Sequence, residues 1–356
     1  MAARRPAPGN HATRKPGDKR SRKKTGNMRV STVPYKQEHS QEGLSYEETV
    51  IKHILQQPAK THSAPREALV FCSMLSSISP SMSELYYKSG EQVGRVLYKL
   101  NAAQSNYLIP EESIEGIIAF FERIGYKNVT YSMQNGKILS IEFHGDGTPS
   151  HDLGAKIHVF ESGIISGYFT AAKGQLVNFT ESSCASSDGG TCRFVETQIP
   201  EFSSCDNSSS LDRLADMVKR KSMIESKSGE IDSIYQSLVY LPMLDKAYSE
   251  YMKQIVSYIG SSVGSELFTS SHGRNGKGAA QSIEQAIKLL NLGIPSVKSV
   301  KPLDIKVSFD ELSSRQGFVD MSVSFINGLL SSSFAGRAVA TENVQNGQYT
   351  VSIKSA

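Results

Sequence analysis

The sequence predicts an α+β fold made of two copies of one module, in which helices cover one face of an antiparallel sheet. Three observations lead to this prediction: an internal repeat, helical periodicity at the start of each copy, and strand-like segments at its end. Helices followed by a meander of strands typically pack as a layer on the sheet. The repeat consists of four pairs of segments in the same order, namely 89–98 with 259–268, 113–129 with 282–297, 138–143 with 303–309, and 160–169 with 325–334.

The helices are predicted from apolar residues at a spacing of three and four. The clearest case is 113–124, in which Ile114, Ile117 and Phe121 lie on one apolar face and Gly125 is suited to cap the end. The other predicted helices are 46–56, 66–76 and 83–100 in the first copy and 211–222, 231–237 and 244–268 in the second.

The strands are predicted from β-branched or alternating apolar residues that are bounded by turn signals such as Asn135-Gly136. The apolar segment 156–171 is therefore expected to form two consecutive strands. In the first copy the predicted strands are 128–133, 138–144, 156–162, 163–171 and 176–181.

Four potential metal ligands, His158, Glu181, Cys184 and Cys192, occur within this strand-rich part of the first copy. A glycine pair shortly before Cys192 can turn the chain back toward the other residues. Two thiolates, one imidazole and one carboxylate would complete a closed tetrahedral site, which is the arrangement of structural zinc. The sequence therefore predicts one structural zinc ion.

Another interpretation of the same residues needs no metal. Buried free cysteines behave as small apolar side chains, His158 could be hydrogen-bonded within a strand, and Glu181 could lie on the surface. If His158 is not a ligand, His151 and Cys205 are the next candidates. The second copy has Val323 in the place of His158 and no cysteine near the corresponding glutamate, so metal binding is expected in the first copy alone.

The order of these features resembles the 4-vinyl reductase domain. The features are a helix with Gly90 and Gly94, an amphipathic helix ending at Gly125, a ligand before G-x-x-S-G-Y, and E-x-x-C followed by a glycine-rich turn and a cysteine. The likeness is close over residues 46–198 and weak over 206–356. It implies a small-molecule-binding fold related to the core subunits of the TRAPP vesicle-tethering complex.

The same segment is similar to the zinc-bearing sensor domain of phenol- and toluene-responsive bacterial transcription activators. In those sensors one Cys, one Glu and two further Cys hold the zinc ion. Glu181, Cys184 and Cys192 match the last three of these, and His158 stands in the place of the first cysteine. The resemblance thus implies the same four positions, with an imidazole nitrogen in place of one thiolate.

Three functions agree with this resemblance. The preferred one is a zinc-stabilised small-molecule-binding module with a sensory or regulatory role, in which an apolar ligand binds between helix 113–124 and the strands. The alternatives are a TRAPP-like scaffold for protein association and an enzyme of tetrapyrrole metabolism, although no Ser-His-Asp arrangement, carboxylate pair or dinucleotide motif indicates catalysis. The residues predicted to line the pocket are Phe120, Phe121, Phe143, Tyr168 and Phe179.

The segment 272–280, HGRNGKGAA, looks like a phosphate-binding loop but lacks the context of one. A P-loop follows a strand and has Ser or Thr directly after its lysine. Here Gly278 follows Lys277, and the repeat places the segment between two helices. Nucleotide binding is therefore not predicted.

Charge is concentrated at the start of the chain. Residues 1–29 contain ten Lys or Arg against the single acid Asp18, whereas the whole chain of 356 residues has a net charge of +4. Such a segment is expected to be disordered, and either to bind nucleic acid or an anionic surface through counterion release or to serve solubility alone. The expected organisation is a basic tail 1–45, a zinc-bearing module 46–200, a linker 201–210 and a second copy 211–356 without metal ligands.

The remaining expectations concern assembly and location. Because related modules pair with each other, the two copies are expected to form an intramolecular pseudo-dimer. The chain has four cysteines and no recognisable signal peptide, which favours reduced thiols and a cytoplasmic protein. No apolar stretch approaches the roughly 20 residues of a transmembrane helix.

Overall fold

Ten helices and ten strands make up the part of the chain that the computed structural model describes. The fold is α+β with three antiparallel sheets, as predicted. The described residues belong to one compact unit, Leu44–Ala356. They are 45–56, 63–76, 78–105, 113–144, 156–185, 191–202, 207–223, 230–240, 242, 246–269, 276–300, 303–309, 316–333, 338–345 and 348–355.

Each half has the same order of elements. In the first half they are α1 (Tyr46–Gln56), β1 (Ser63–Pro65), α2 (Arg66–Ser76), α3 (Pro80–Ser105), α4 (Ile114–Ile124), β2 (Val129–Gln134), β3 (Lys137–Phe143), α5 (Val159–Lys173), β4 (Asn178–Ser183) and β5 (Cys192–Thr197). In the second they are α6 (Asn207–Met223), β6 (Glu230–Asp232), α7 (Ser233–Tyr240), α8 (Lys246–Thr269), α9 (Gly276–Leu289), β7 (Ile294–Val300), β8 (Leu303–Ser308), α10 (Gln316–Ser333), β9 (Ala338–Gln345) and β10 (Gln348–Ser355). The two four-stranded sheets also agree in strand order, β2-β3-β5-β4 and β7-β8-β10-β9.

Helix α4 ends at a left-handed glycine that also contacts the second half. Gly125 has a φ of +118°, and the chain turns there with hydrogen bonds from the Gly125 N–H to the Glu122 oxygen and from the Tyr126 N–H to the Phe121 oxygen. A Cβ at position 125 would lie 2.7 Å from the backbone oxygen of Glu230 in β6. Glycine is therefore required both by the backbone conformation and by the close approach of β6.

The predicted strands 156–162 and 163–171 are wrong, because most of this segment forms helix α5. Every residue from Phe160 to Thr170 is buried, so the helix is covered on all sides and shows no amphipathic period. A short apolar run rich in isoleucine cannot be distinguished from a buried strand by periodicity. The helical state was signalled by Gly163 and Gly167, whose spacing places both on one helix face.

Glycines bring α3 and α5 into backbone contact. A Cβ on Gly90 would overlap the carbonyl oxygen of Phe160, and one on Gly94 would overlap that of Ile164. The glycines of α5 lie in the same way against carbonyl groups of α3. The two helices therefore cross more closely than any other side chain would allow at these positions.

The crossing of α8 and α10 uses the corresponding positions. Gly260 lies against the carbonyl oxygen of Phe325 and Gly264 against that of Leu329, as their counterparts in α3 do in the first half. These matching contacts define which residues correspond between the halves. On this basis Val323 corresponds to the predicted ligand before α5.

A short two-stranded sheet joins the halves. Strand β1 pairs antiparallel with β6, and Ala64 lies opposite Ile231. Close by, the Tyr46 hydroxyl of α1 donates a 2.9 Å hydrogen bond to the Ser237 Oγ of α7. Because β1 and β6 hold equivalent places in the two halves, the pairing is self-complementary in the manner of a twofold interface.

Several predictions fall wholly or partly outside the described residues. These are the basic tail up to residue 44, the alternative ligands His151 and Cys205, residues 272–275 of the glycine-rich segment, and residues 203–206 of the predicted linker. The predicted linker 201–210 overlaps the start of α6 at Asn207. Within the described part of the chain, no helix combines the length and apolar character needed to span a membrane.

Candidate metal centre

The four predicted ligands come from the first half and lie at the start of one helix and the ends of two strands. His158 is the residue before α5, Glu181 lies in β4, Cys184 follows β4, and Cys192 begins β5. Strands β4 and β5 are paired, with Glu181 opposite Phe194, and α5 packs on β4. The fold therefore brings all four side chains together.

The potential ligand atoms of these residues all lie within 4.8 Å of one another. His158 Nδ1 is 2.7 Å from Glu181 Oε1 and 3.8 Å from Cys184 Sγ, and the two sulfur atoms are 3.9 Å apart. Glu181 Oε2 also accepts a 3.0 Å hydrogen bond from the His158 backbone N–H. Nδ1 is thus the imidazole nitrogen that faces the other ligands.

The cluster is closed to solvent. His158 and Glu181 are 2% and 3% exposed, and both cysteines are fully buried. The rings of Tyr126, Phe143 and Phe194 surround the imidazole at centroid distances of 5.9, 6.0 and 6.0 Å. Ionisable groups in such surroundings require charged or hydrogen-bonding partners, and the four side chains provide such partners for one another.

The four side chains perturb one another's pKa values. Burial raises the pKa of Glu181 to about 7, against the opposing effect of His158. Although burial opposes protonation of His158, electrostatic interactions with the Cys192 sulfur and the Glu181 carboxyl raise its pKa well above the usual value. A hydrogen bond from the Cys192 thiol lowers the pKa of Cys184, which makes Cys184 the thiolate. Because metal ligands must be deprotonated, a metal cation bound here would displace the protons that these side chains share.

The donor set matches the chemistry of zinc. Two thiolates, one imidazole nitrogen and one carboxylate oxygen are ligands that tetrahedral zinc accepts, and a buried four-ligand set is typical of structural sites. Hard cations such as calcium and magnesium require oxygen ligands instead. The described residues contain no second group of this kind.

The connection between β4 and β5 distinguishes the two halves. In the first half residues 184–191 connect the strands, and the Ala185 N–H donates to Cys192 Sγ at 3.3 Å. In the second half Gln345 pairs directly with Gln348, so β9 and β10 are joined by two residues. The longer connection begins with Cys184 and leads into Cys192, and a two-residue connection takes its place in the second half.

The five aromatic residues predicted to line a ligand pocket divide into two groups. Phe121 contacts Phe120 and Phe143, with ring centroids 5.7 and 4.9 Å apart. Tyr168 and Phe179 instead each pack against the ring of Phe169 in α5. All five are at most 1% exposed, and these ring contacts are those of a packed core. Ligand binding by these residues stays a prediction.

A surface pocket of about 320 Å³ lies at the end of β5 that is remote from Cys192. Polar side chains and Leu176 form most of its lining, and Leu176 is 70% exposed. The pocket contains none of the five predicted aromatic residues. Its lining residues are Lys137, Leu176, Val177, Asn178, Glu196, Thr197 and Gln198.

A buried polar network beside the candidate metal centre was not predicted from the sequence. Glu161 accepts hydrogen bonds from the hydroxyls of Tyr126 and Tyr235 at 2.9 and 2.7 Å. The guanidinium of Arg66 lies over the ring of Tyr126, 4.9 Å from its centroid. The sequence feature that could have indicated this network is an acidic residue, Glu161, inside an apolar segment. A carboxylate that is buried with such a segment requires hydrogen-bond donors.

Comparison with known proteins does not assign the chain to a family. No protein-family model, curated protein or solved structure matches the chain. The likeness to the 4-vinyl reductase domain therefore rests on the motif residues alone.

Proposed function

We propose that this protein is a zinc-stabilised scaffold for protein association, in which one zinc ion fixes the first half and the second half docks against it. The observation that supports zinc binding is the buried group of His158, Glu181, Cys184 and Cys192. The metal would join the start of α5 to the β4–β5 loop. Among the described residues, no strand pairing connects the start of α5 to this loop.

A structural role for the zinc is supported by the closure of the site. Catalytic zinc keeps one coordination position for water or substrate, whereas structural zinc has four protein ligands. Here four protein ligands are present and none is more than 3% exposed. Zinc bound at this site would contribute its binding free energy to folding.

The association role is supported by the way the halves contact each other. Both contribute the same elements to the shared sheet, with β1 against β6, and both repeat the glycine-mediated helix crossing. We interpret the halves as duplicated modules that form an intramolecular pseudo-dimer. A fold that pairs with a copy of itself in this way provides a surface suited to protein association.

A second candidate function is binding of an apolar small molecule, and one observation favours it. Tyr126 and Phe143 form an aromatic group with Phe194 directly against the imidazole of His158. A ligand bound among these rings would lie directly beside the metal centre and could affect it. Because the rings are in contact, it could enter only by displacing them.

The metal is tested by native mass spectrometry and elemental analysis of the full-length protein purified without added ligand. We expect one zinc ion per chain in the wild type and none after the double substitution Cys184→Ser and Cys192→Ser. Cys72→Ala is the matched control, because Cys72 is equally buried but lies outside the cluster. Absence of stoichiometric metal in the wild type would refute the zinc site. A retained small molecule in the same spectrum would favour the second candidate function over the scaffold.

A further inference from the structure

A tyrosine of the second half reaches into the first half beside the metal centre. Tyr235 of α7 is fully buried, and its hydroxyl donates a 2.7 Å hydrogen bond to Glu161 Oε1 in α5. Its ring centroid lies 6.1 Å from that of Phe120 and 6.2 Å from that of Phe160. The side chain is therefore packed between α4 and α5.

Glu161 connects this contact to the ligand His158. Glu161 lies in the first turn of α5, which directly follows His158, and the His158 carbonyl oxygen accepts hydrogen bonds from the Ser162 N–H and Oγ at 2.9 Å each. The Glu161 carboxylate is held a second time by the hydroxyl of Tyr126, whose ring is in edge contact with the imidazole. A displacement of this turn would move the carboxylate and the metal ligand together.

The second half provides a comparison in which all these features are missing. Val323 and Ile326 take the places of the imidazole ligand and the acidic residue, and Ala68 of the first half takes the place of Tyr235. At the equivalent positions the half without metal ligands thus has neither a tyrosine from its neighbour nor a carboxylate in its own helix. Burying a carboxylate destabilises a fold unless hydrogen-bond donors compensate. This buried carboxylate and its hydrogen bonds lie in the half that has the metal ligands, and the same fold forms without them at the equivalent positions of the second half.

We propose that zinc binding in the first half and docking of the second half are coupled through Glu161, with Tyr235 as a positioning residue for His158. This inference rests on the proposed zinc site. When α7 is docked, two hydroxyls hold the carboxylate and fix the first turn of α5, so that the imidazole faces the other ligands. When the Tyr235 hydroxyl is lost, this turn is held less firmly and zinc binds more weakly. By linkage, zinc binding strengthens the docking of α7 by the same factor.

The test is zinc affinity of the full-length protein, measured by competition with a chromogenic chelator, for Tyr235→Phe and for a matched control. The control is Tyr240→Phe, because Tyr240 is a buried tyrosine of the same helix whose hydroxyl donates to the Leu290 oxygen and also interacts with Cys72 of α2, and neither contact involves Glu161. We expect the zinc Kd to rise about fivefold in Tyr235→Phe and to stay within about twofold of wild type in the control, since one buried hydrogen bond is lost in each. Glu161→Gln keeps the side-chain shape and should weaken zinc binding in the same direction.

Hydrogen exchange gives the reciprocal measurement. Zinc should slow amide exchange in α7 of the wild type and should slow it less in Tyr235→Phe. Unchanged zinc affinity in Tyr235→Phe, or an equal loss of affinity in Tyr240→Phe, would overturn the coupling while leaving the zinc site intact. A wild-type protein that binds no zinc would instead refute the proposed function, and the coupling with it.

Discussion

Gly163 of α5 lies against the backbone carbonyl oxygen of Tyr87 in α3, so closely that a Cβ at position 163 would overlap that oxygen. In the second half Gly328 lies in the same way against Ser257. This contact sets the distance between the two central helices of each half. It also sets the position of the first turn of α5, which directly follows His158 of the candidate metal centre.

Gly163→Ala should therefore destabilise the protein by about 2 kcal/mol or more, because the added methyl group meets backbone that cannot rotate away. The free energy of unfolding is measured by urea denaturation. Glu84→Ala, on the exposed side of α3, is the control and should change it by about 0.5 kcal/mol at most. A Gly163→Ala variant as stable as this control would show that α3 and α5 can move slightly apart without a loss of unfolding free energy.

Removing the metal should lower the melting temperature. Because an ordered site is absent from the unfolded chain, zinc bound by the native state stabilises it, and a strong chelator should reduce Tm by about 5 °C or more. The double variant Cys184→Ser and Cys192→Ser should melt at the lower temperature with or without chelator. Equal chelator sensitivity in wild type and double variant would place the effect elsewhere in the chain.

The extent to which the sequence predicts this fold differs between elements for physical reasons. The bounds of α1 follow from the sequence, since its buried residues recur at a spacing of three and four. Helices α2 and α5 are buried along most or all of their length, which removes this period. The sequence still predicts α2, because Pro65 precedes it and residues that favour helices dominate it, whereas α5 is rich in isoleucine and glycine. The repeat predicts the shared element order, because glycines at fixed positions leave a trace in the sequence even where the rest has changed.

The candidate site likewise contains some residues that the sequence predicts and others that it does not. The candidate metal ligands can be recognised in the sequence because cysteine and histidine are rare in this chain, so that three of them with a glutamate in one segment form a distinct pattern. The role of Glu161 cannot be predicted in full, because its partner Tyr235 is distant in the chain and reaches it only through docking of the second half. Contacts of this kind depend on tertiary structure and have no local signature.

Gly125→Ala should loosen the contact between the halves. The substitution combines an unfavourable φ with a Cβ placed 2.7 Å from the Glu230 oxygen, and we expect a loss of about 3 kcal/mol together with faster amide exchange in β1 and β6. Gly174→Ala is the matched control, because Gly174 also has a positive φ, +64°, but no atom lies within 4 Å of its Cβ position. It should cost about 1 kcal/mol and leave exchange in β6 unchanged. Equal effects of the two substitutions would mean that the approach of β6 does not depend on glycine.

The basic segment at the start of the chain should account for any binding of polyanions. Residues 1–29 contain ten Lys or Arg, and such contacts act through counterion release, which is insensitive to base sequence and weakens steeply with salt. Deletion of residues 1–29 should therefore abolish binding to DNA, RNA or anionic vesicles while leaving zinc content and Tm unchanged. The measurement is a salt titration of binding with the full-length and truncated proteins. Equal affinity in the two proteins would place the polyanion site on the folded part of the chain, whereas no binding in either would assign the segment to solubility alone.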